Sequence, residues 1–234
     1  MSTSGRDRRL GAAIEASRRW YEMTFALHGK RFRQRGDIWV ALDEPPAFHS
    51  SAITLSPSLD PDIVAAVVAR PNDHSVADTF ADVALDQHGY TVFFDATWVH
   101  ASKPGRPSQR PPGWTVVDTV AALEVWSTAH DYVEVLPAAV LALREVDVLA
   151  RYDDGEMTAG AVLHAGGPAV GLSNVWASSA DELDWAEVLA ASWSLHPDDD
   201  LVGYERGRDL TGALGAGFTG VGTHRVWASS TSDR

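Results

Sequence analysis

The sequence contains no cysteine among its 234 residues. This absence excludes disulfide bridges, thiolate nucleophiles and zinc sites built on cysteine. The sequence also lacks an apolar run of 18 residues, which a membrane-spanning helix would need. No apolar segment follows the polar and basic start at Met1–Arg9, as a secretion signal would require. We therefore expect a cytoplasmic protein with no membrane partner.

Positive charge is scarce after the first 36 residues. The formal net charge is −13, yet residues 1–36 carry nine Lys and Arg against three Asp and Glu. The remainder carries ten against twenty-nine. A body this acidic repels a phosphate backbone over about one Debye length, ~8 Å at physiological salt. We expect no nucleic-acid partner unless residues 1–36 make the contact. Alternatively, this basic stretch faces the acidic body or solvent.

Sequence motifs for nucleotide binding and for serine hydrolysis are also missing. The chain has no P-loop, no dinucleotide fingerprint and no Gly-x-Ser-x-Gly elbow. The segment 196–200, His-Pro-Asp-Asp-Asp, superficially resembles a metal cluster. No second histidine lies at ligand spacing, so we interpret it as a solvated acidic loop and expect no metal cofactor.

The hydrophobic content of 45% is enough for a core, and hydrophobic periodicity predicts the elements of the first half. A stripe through Leu10, Ala13, Ile14, Tyr21 and Phe25 predicts an amphipathic helix that ends near Gly29. Further predicted elements are strands at 37–42, 53–55 and 90–99, a helix opened by Asp60-Pro61, and a helix from Ser75 to Gly89.

Residues 101–113 contain four prolines and two glycines, a composition that neither a helix nor a central strand tolerates. We interpret this segment as a semi-rigid linker between a first half, 1–100, and a second half, 114–234. The second half is predicted to contain strands at 114–117, 146–152, 157–164, 169–176, 201–204 and 218–227. Its helices are predicted after Asp118 or Thr119 and at 137–143, 181–193 and 209–216.

The two halves end in a similar way. A helix, Gly89-Tyr90 and a strand with Trp98 close the first half; a helix, Gly217-Phe218 and a strand with Trp227 close the second. This similarity suggests a tandem repeat of two similar halves.

In element order, residues 114–227 resemble the GNAT acyltransferase superfamily. The local sequence of 161–177, 201–207 and 215–227, the last reading GAGFTGVGTHRVW, carries the same resemblance. The resemblance implies an α/β fold with a mixed sheet. Because residues 1–100 resemble the family poorly, we expect a degenerate GNAT-like first half.

The resemblance implies an acyl donor, usually acetyl-CoA, in a gap where the fourth and fifth core strands diverge. Here these strands end at Trp176 and Tyr204. Backbone groups at Ser173, Asn174, Val175 and Trp176 would hold the donor. Family members bind its pyrophosphate with a glycine-rich loop at the next helix N-terminus.

The corresponding loop of this chain is predicted to be degenerate. Residues 177–183 contain no glycine and no basic residue, and Asp181 and Glu182 place negative charge where a pyrophosphate would lie. Hydroxyl groups of Ser178 and Ser179 could offset part of this charge. The donor is therefore acetyl-CoA or another acyl donor, such as an acyl carrier or an acyl-tRNA.

Three residues near the predicted gap are candidates for catalysis. Tyr204 could act as the general acid, as a phenol in hydrogen-bond reach can; alternatively it is a strand-end tyrosine with its hydroxyl at the rim. Glu205 could be a general base or one half of a surface ion pair. His164 could be a base or a structural residue.

The binding residues and the function also leave alternatives. Ser173 and Asn174 are adjacent on a strand, so one of them is expected to point into the gap. Trp98 and Trp176 line a pocket or belong to the core. We predict an N-acyltransferase that acts on an amine of a small molecule; the alternative is a non-catalytic binding or assembly protein. The oligomeric state stays open.

Overall fold

The computed structural model describes residues 3–68, 74–105, 108–179 and 183–229. In this part of the chain the helices are α1 Thr3–Leu27, α2 Pro61–Val68, α3 Val120–Ala129, α4 Trp185–Leu195 and α5 Gly207–Ala216, with short 3₁₀ helices at Asp86–His88 and Ala138–Ala142. The strands are β1 Phe32–Arg35, β2 Ile38–Ala41, β3 Ala52–Thr54, β4 Ser75–Asp78, β5 Tyr90–Ala101, β6 Trp114–Val116, β7 Val146–Asp153, β8 Glu156–His164, β9 Val170–Ala177, β10 Leu201–Glu205 and β11 Thr219–Ser229.

Local signals set several helix ends where the sequence predicts them. The Thr119 side chain accepts a hydrogen bond from the N–H of Ala122 at 3.2 Å and so caps α3. Pro61 is the first residue of α2, where its missing N–H does no harm. Gly217 follows the end of α5 with a φ of +121°, a conformation that L side chains rarely adopt.

One mixed sheet contains all eleven strands, in the order β1-β2-β3-β4-β11-β5-β10-β9-β8-β7-β6. Two pairs are parallel, β3 with β4 and β9 with β10; the other described pairs are antiparallel. The last strand of each predicted half pairs with strands of the other half. Strand β11, from the second half, lies between β4 and β5, and β5, from the first half, lies between β11 and β10. The residues on the two sides of 101–113 therefore share one sheet.

One predicted helix is wrong. The segment from Ser75 to Gly89 forms β4 and then the 3₁₀ helix Asp86–His88 instead of one continuous helix. Val76 and Ala77 are buried and pair with β3 on one side and β11 on the other. These long-range pairs outweigh the local capping pattern at Ser75. The sequence analysis also missed β1, whose residues are mostly exposed and polar.

The helices lie on both faces of the sheet. Val202 packs in a cluster with α1, whereas the adjacent Leu201 packs with α4 and α5, and successive strand residues point to opposite faces. Helix α1 crosses β5, β9, β10 and β11. Its predicted apolar stripe is buried at Ala13, Ile14 and Phe25. No helix in the described ranges is both long and apolar enough to cross a membrane.

Candidate functional site

The central parallel pair of strands opens into a gap. Strands β9 and β10 pair at Val170 with Leu201 and at Gly171 with Val202, and their further residues are not paired with each other. A cavity of about 410 Å³ lies in this gap, within the usual size range of small-molecule sites. Helix α1 lines the same cavity. The structure thus has the divergence of strands that the sequence predicted.

A β-bulge shapes the β9 wall of the cavity. Between the pairs Val162–Ser173 and Gly160–Trp176, β9 has one residue more than β8. Asn174 lies in the bulge with a φ of +52°, and its amide Nδ2 donates to Ser173 Oγ at 3.0 Å. Residues 172–175 all line the cavity, and Ser173 and Asn174 are among them. That one of these two side chains points into the gap stays a prediction.

His164 lines the cavity as part of its wall. Its imidazole lies close against the backbone of Gly171. A Cβ atom at this position would come within 2.0 Å of the imidazole Cε1, so only glycine leaves room for the ring. On another side its ring stacks on Trp20 at a centroid distance of 5.1 Å. Burial lowers the pKa of His164 to about 3, so the ring is neutral at pH 7. It makes no hydrogen bond to any residue that the structure describes.

Tyr204 and Glu205 lie at the end of β10, on the edge of the gap. The Tyr204 ring lies 4.8 Å from that of His224 and 5.4 Å from that of Trp98. Burial of the ring against these neighbours raises the pKa of Tyr204, although 37% of the residue is exposed. Its hydroxyl has no hydrogen-bond partner in the described part of the chain and can meet a ligand.

Glu205 lines the cavity and also a second pocket, which it shares with Arg206 and Leu210. Within the described ranges it forms no ion pair. The guanidinium of its neighbour Arg206 lies over the ring of Phe94, 4.9 Å from its centroid. Burial, and then the charge of Asp209, raise the pKa of Glu205 to about 8. The group therefore exchanges a proton close to neutral pH, as a general acid or base should.

The remaining wall comes from parts of the chain that the sequence analysis did not connect with the site. They are α1 and two loops; their cavity-lining residues are Ala13, Ala16, Ser17, Trp20, Tyr21, Phe48, His49, His130, Asp131 and Tyr132. Nδ1 of His49 lies 2.9 Å from the carbonyl oxygen of Ala47, and burial lowers the His49 pKa to about 4. Of the sequence signals, only the pattern of α1 placed any of these residues at a buried surface. Trp98, one of the two predicted pocket tryptophans, also lines the cavity.

Three of the predicted binding residues do not line the cavity. Trp176 is 6% exposed and packs edge-on against Trp126, 5.9 Å between ring centroids, so it lies in the core behind His130. The bulge at Asn174 explains this, because it shifts the alternation of the residues that follow. Ser178 and Ser179 come after the end of β9 and also lie outside the cavity. Val175 does line it.

The residues at the start of α4 do not fit the pyrophosphate of an acyl-CoA. Oδ1 of Asp184 accepts hydrogen bonds from the N–H groups of Ala186 at 2.8 Å and Glu187 at 3.4 Å. The donors that would bind a phosphate are thus occupied by a carboxylate. A pocket beside Asp184 reaches α5, and its described lining contains no lysine or arginine. The predicted charges of Asp181 and Glu182 lie outside the described residues.

The first half contains a corresponding parallel pair, but its strands stay joined. Strands β3 and β4 pair at Ala52 with Val76 and at Ile53 with Ala77. Directly beyond, the N–H of Thr79 donates to Thr54 Oγ1 at 2.9 Å, and Thr79 Oγ1 donates to the Thr54 carbonyl at 2.6 Å. Both threonines are buried. This hydrogen-bonded pair holds the chain together directly beyond β3 and β4, whereas β9 and β10 separate directly beyond their own paired residues.

The buried histidine at the cavity wall should make stability depend on pH. Below about pH 6.5 the unfolded chain binds a proton at His164 that the folded protein binds only near its lowered pKa of about 3. The free energy of unfolding should therefore fall by about 1.4 kcal/mol per pH unit for this residue alone as pH drops from about 6.5 to 4. We expect the variant His164→Phe to lack this contribution to the dependence of the unfolding free energy on pH, as measured by urea unfolding at a series of pH values.

Comparing the original protein with the variant His164→Phe separates the effect of His164 from those of the other titrating groups. His49 and His224, with pKa values lowered to about 4, act in the same direction in both proteins. The raised pKa of Glu205 acts in the opposite direction, because its folded state holds a proton that the unfolded state releases between about pH 4.5 and 8. Equal slopes for the two proteins would show that His164 is protonated in the folded state.

Comparison with known proteins identifies the fold. No protein-family model matches the chain, and no curated protein matches its sequence. Among solved structures, a GCN5-related N-acetyltransferase from Kribbella flavida is 16% identical, with a TM-score of 0.63 over 94% of this chain and 96% of its own. A functionally unknown protein from Staphylococcus epidermidis is 7% identical, with a TM-score of 0.61 over 85% and 92%.

A GCN5-related N-acetyltransferase-like protein from Streptococcus suis is 14% identical, with a TM-score of 0.51 over 97% of this chain and 99% of its own. These likenesses extend over nearly the whole chain. The α/β fold with a mixed sheet and the resemblance to GNAT proteins are therefore confirmed. At such low identity the likeness shows the fold, and the activity has to be argued from the cavity.

Proposed function

We propose that this protein transfers an acyl group to the amine of a small molecule held in the cavity between β9 and β10. The observation that carries the proposal is the open gap between these strands, with Tyr204 and Glu205 at its edge. The GNAT fold supports it, since solved neighbours carry the name N-acetyltransferase. In this protein the equivalent gap of the first half is closed, so we assign the activity to the second half.

We assign a role to each polar residue of the gap. The Glu205 carboxyl, with a pKa near 8, takes the proton that the attacking amine loses. The phenol of Tyr204 donates a hydrogen bond to the leaving group of the acyl donor. The amide of Asn174, fixed by the β-bulge and by Ser173, positions the acyl carbonyl. His164 was a candidate base, but its lowered pKa of about 3 makes it a weak proton acceptor, and its place in the wall favours a packing role.

The start of α4 favours a donor that does not place a nucleotide there. Asp184 occupies the helix N–H groups with a negative charge, which would repel a pyrophosphate at short range. We propose that the acyl group is presented by a thioester or another carrier whose recognised part ends before α4. A carrier protein satisfies this condition. An acyl-tRNA is disfavoured because the net charge is −13.

A second candidate function is non-catalytic binding of a small molecule or assembly with a partner. The occupied helix start at Asp184 favours this second function as well, because a binding protein with a GNAT fold needs no site for the phosphates of an acyl donor. The two candidates share the cavity and differ in whether an acyl group is transferred. The experiment therefore has to measure transfer and binding separately.

Two acyl donors that differ only in the nucleotide provide the test. We expect acetyl-pantetheine and acetyl-CoA to support acylation of an amine panel with kcat/KM values within about 3-fold of each other, because the nucleotide finds no binding groups. Acetyl-CoA should also fail to give the ~2.7 kcal/mol of stabilisation that a ligand at 100 times its Kd provides. Product formation is followed by mass spectrometry.

The variant Asp184→Ser tests the cause. Serine is also a good N-cap, so α4 should keep its stability, while the charge at the helix start is removed. We expect this variant to gain in kcat/KM for acetyl-CoA over acetyl-pantetheine. A strong preference of the unchanged protein for acetyl-CoA would contradict the assignment of the donor. Binding of amines without transfer from either donor would leave the binding function.

A further inference from the structure

The chemistry of the cavity lining is unusual in its combination of aromatic rings and negative charge. Six aromatic side chains contribute to it, namely Trp20, Tyr21, Phe48, Trp98, Tyr132 and Tyr204. The two residues with carboxyl groups are Asp131 and Glu205, and the described lining contains no lysine or arginine. Because burial raises the pKa of Glu205 to about 8, most of the negative charge of the lining at pH 7 comes from Asp131. An aromatic face attracts cations through its quadrupole. The lining therefore attracts positive charge and offers no lysine or arginine to an anion.

The histidines of the lining do not reverse this preference. Burial lowers the pKa of His49 to about 4 and that of His164 to about 3, and it also lowers the pKa of His130. All three rings are neutral at pH 7. Three arginines are adjacent in sequence to lining residues, and none of them lines the cavity. Arg206 lies over Phe94, and Arg18 and Arg19 pair with Glu15. The net charge of −13 adds a negative potential around the whole molecule.

Two loops from distant parts of the chain place an aromatic pair and a carboxylate side by side. Phe48 is 72% exposed, and its ring stacks on Tyr132 at a centroid distance of 5.3 Å and an interplanar angle of 20°. Phe48 has a φ of +63° and Asp131 a φ of +54°. Positive φ is rare for bulky residues and is kept where the surroundings impose it, often at functional sites. Both residues line the cavity.

We propose that the cavity selects a small organic cation with an apolar body. The charged group lies against the rings of Phe48 and Tyr132 beside Asp131, and the apolar body lies deeper in the cavity, along the wall to which Trp20 belongs. This inference names the substrate class of the proposed acyl transfer, and it rests on that proposal for the role of the cavity as the acceptor site. The acceptor would be an amine that arrives as its ammonium ion on an aromatic or aliphatic group.

The test uses a cation that cannot be acylated. Phenyltrimethylammonium carries a permanent charge and no N–H, and tert-butylbenzene is its neutral counterpart of the same shape. Binding to the full chain is followed by the fluorescence of the cavity tryptophans, with calorimetry as the second measurement. We expect the cation to bind at least about 5-fold more tightly than the neutral compound, as cation–π contacts in partly desolvated sites predict. Equal affinities, or tighter binding of the neutral compound, would overturn the proposal.

Matched variants locate the cation. Asp131→Asn keeps the shape of the side chain, and asparagine tolerates positive φ as well as aspartate does. We expect it to weaken binding of the cation about 5-fold and to leave tert-butylbenzene unchanged. Phe48→Ala should weaken the cation about 3- to 10-fold. Its control is Phe93→Ala, which removes a phenylalanine of the same exposure, 71%, outside the cavity. An unchanged cation affinity in both cavity variants would contradict the placement.

The outcomes separate this inference from the proposed function. Preferential binding of the cation without acylation of any amine would support the cation site and contradict the proposed acyl transfer. Acylation of amines by a protein that binds the two test compounds equally would support acyl transfer and contradict the cation site.

Discussion

Replacement of Tyr204 by phenylalanine should lower kcat for acyl transfer by about 10²- to 10⁴-fold, the usual contribution of a positioned acid or hydrogen-bond donor. The phenol is the proton donor that we place at the leaving group. Its hydroxyl makes no hydrogen bond to a residue in the described ranges, so the variant leaves no buried partner unsatisfied. The ring contacts with Trp98 and His224 are available to phenylalanine as well. The free energy of unfolding should therefore stay within about 0.5 kcal/mol of the original value.

The two measurements together decide the role of Tyr204. Single-turnover rates give the chemical step, and urea unfolding gives the stability. Tyr152→Phe, on β7 and outside the cavity lining, is the matched control and should change neither rate nor binding. Should Tyr204→Phe transfer acyl groups at the original rate, the tyrosine would be part of the cavity wall only.

The second large effect concerns the division of the chain. We expect residues 114–234, expressed alone, to show no cooperative unfolding transition. Strand β5 belongs to the first half, yet it pairs with β11 from Tyr90 to His100 and with β10 from Thr97 to Ala101. Its removal leaves both strands with open edges at the centre of the sheet. It also removes Trp98, which is fully buried.

Complementation provides the control for this experiment. Residues 1–108 and 109–234, produced together, should assemble and regain a cooperative transition, because the described residues between β5 and β6 form no strand. Circular dichroism during thermal unfolding distinguishes the two samples. A stable fold of 114–234 alone would instead show that the second half is an autonomous domain and would favour the boundary at 101–113. We also propose that the two halves arose as a tandem repeat, because each contains one parallel pair of strands, β3 with β4 and β9 with β10.

Prediction from the sequence worked where the signal was local. The strands of the second half lie within a few residues of their predicted positions, since their apolar runs are bounded by turns such as Asp153-Asp154-Gly155. The caps at Thr119 and Gly217 depend on neighbouring backbone groups and were predictable for that reason. The gap between β9 and β10 followed from the resemblance to GNAT proteins.

Prediction failed where a partner lay far away in the chain. The helix expected after Ser75 gave way to a strand because β3 and β11 pair with it from both sides. Trp176 was a pocket candidate because it ends a predicted strand, with the core as the alternative. It packs in the core, after a bulge at Asn174 that no local signal predicted. Phe48 carried no signal in its own surroundings, although it lines the same cavity as Asp131.

By itself, therefore, the sequence determined most of the elements, their order, the acidic charge and the absence of cysteine chemistry, because these depend on composition or on contacts within a few residues. Only the tertiary structure decided which walls enclose the cavity, and that Thr54 and Thr79 join the chain beyond β3 and β4 while β9 and β10 separate. Each of these is a distance between atoms whose positions depend on the packing of the whole sheet.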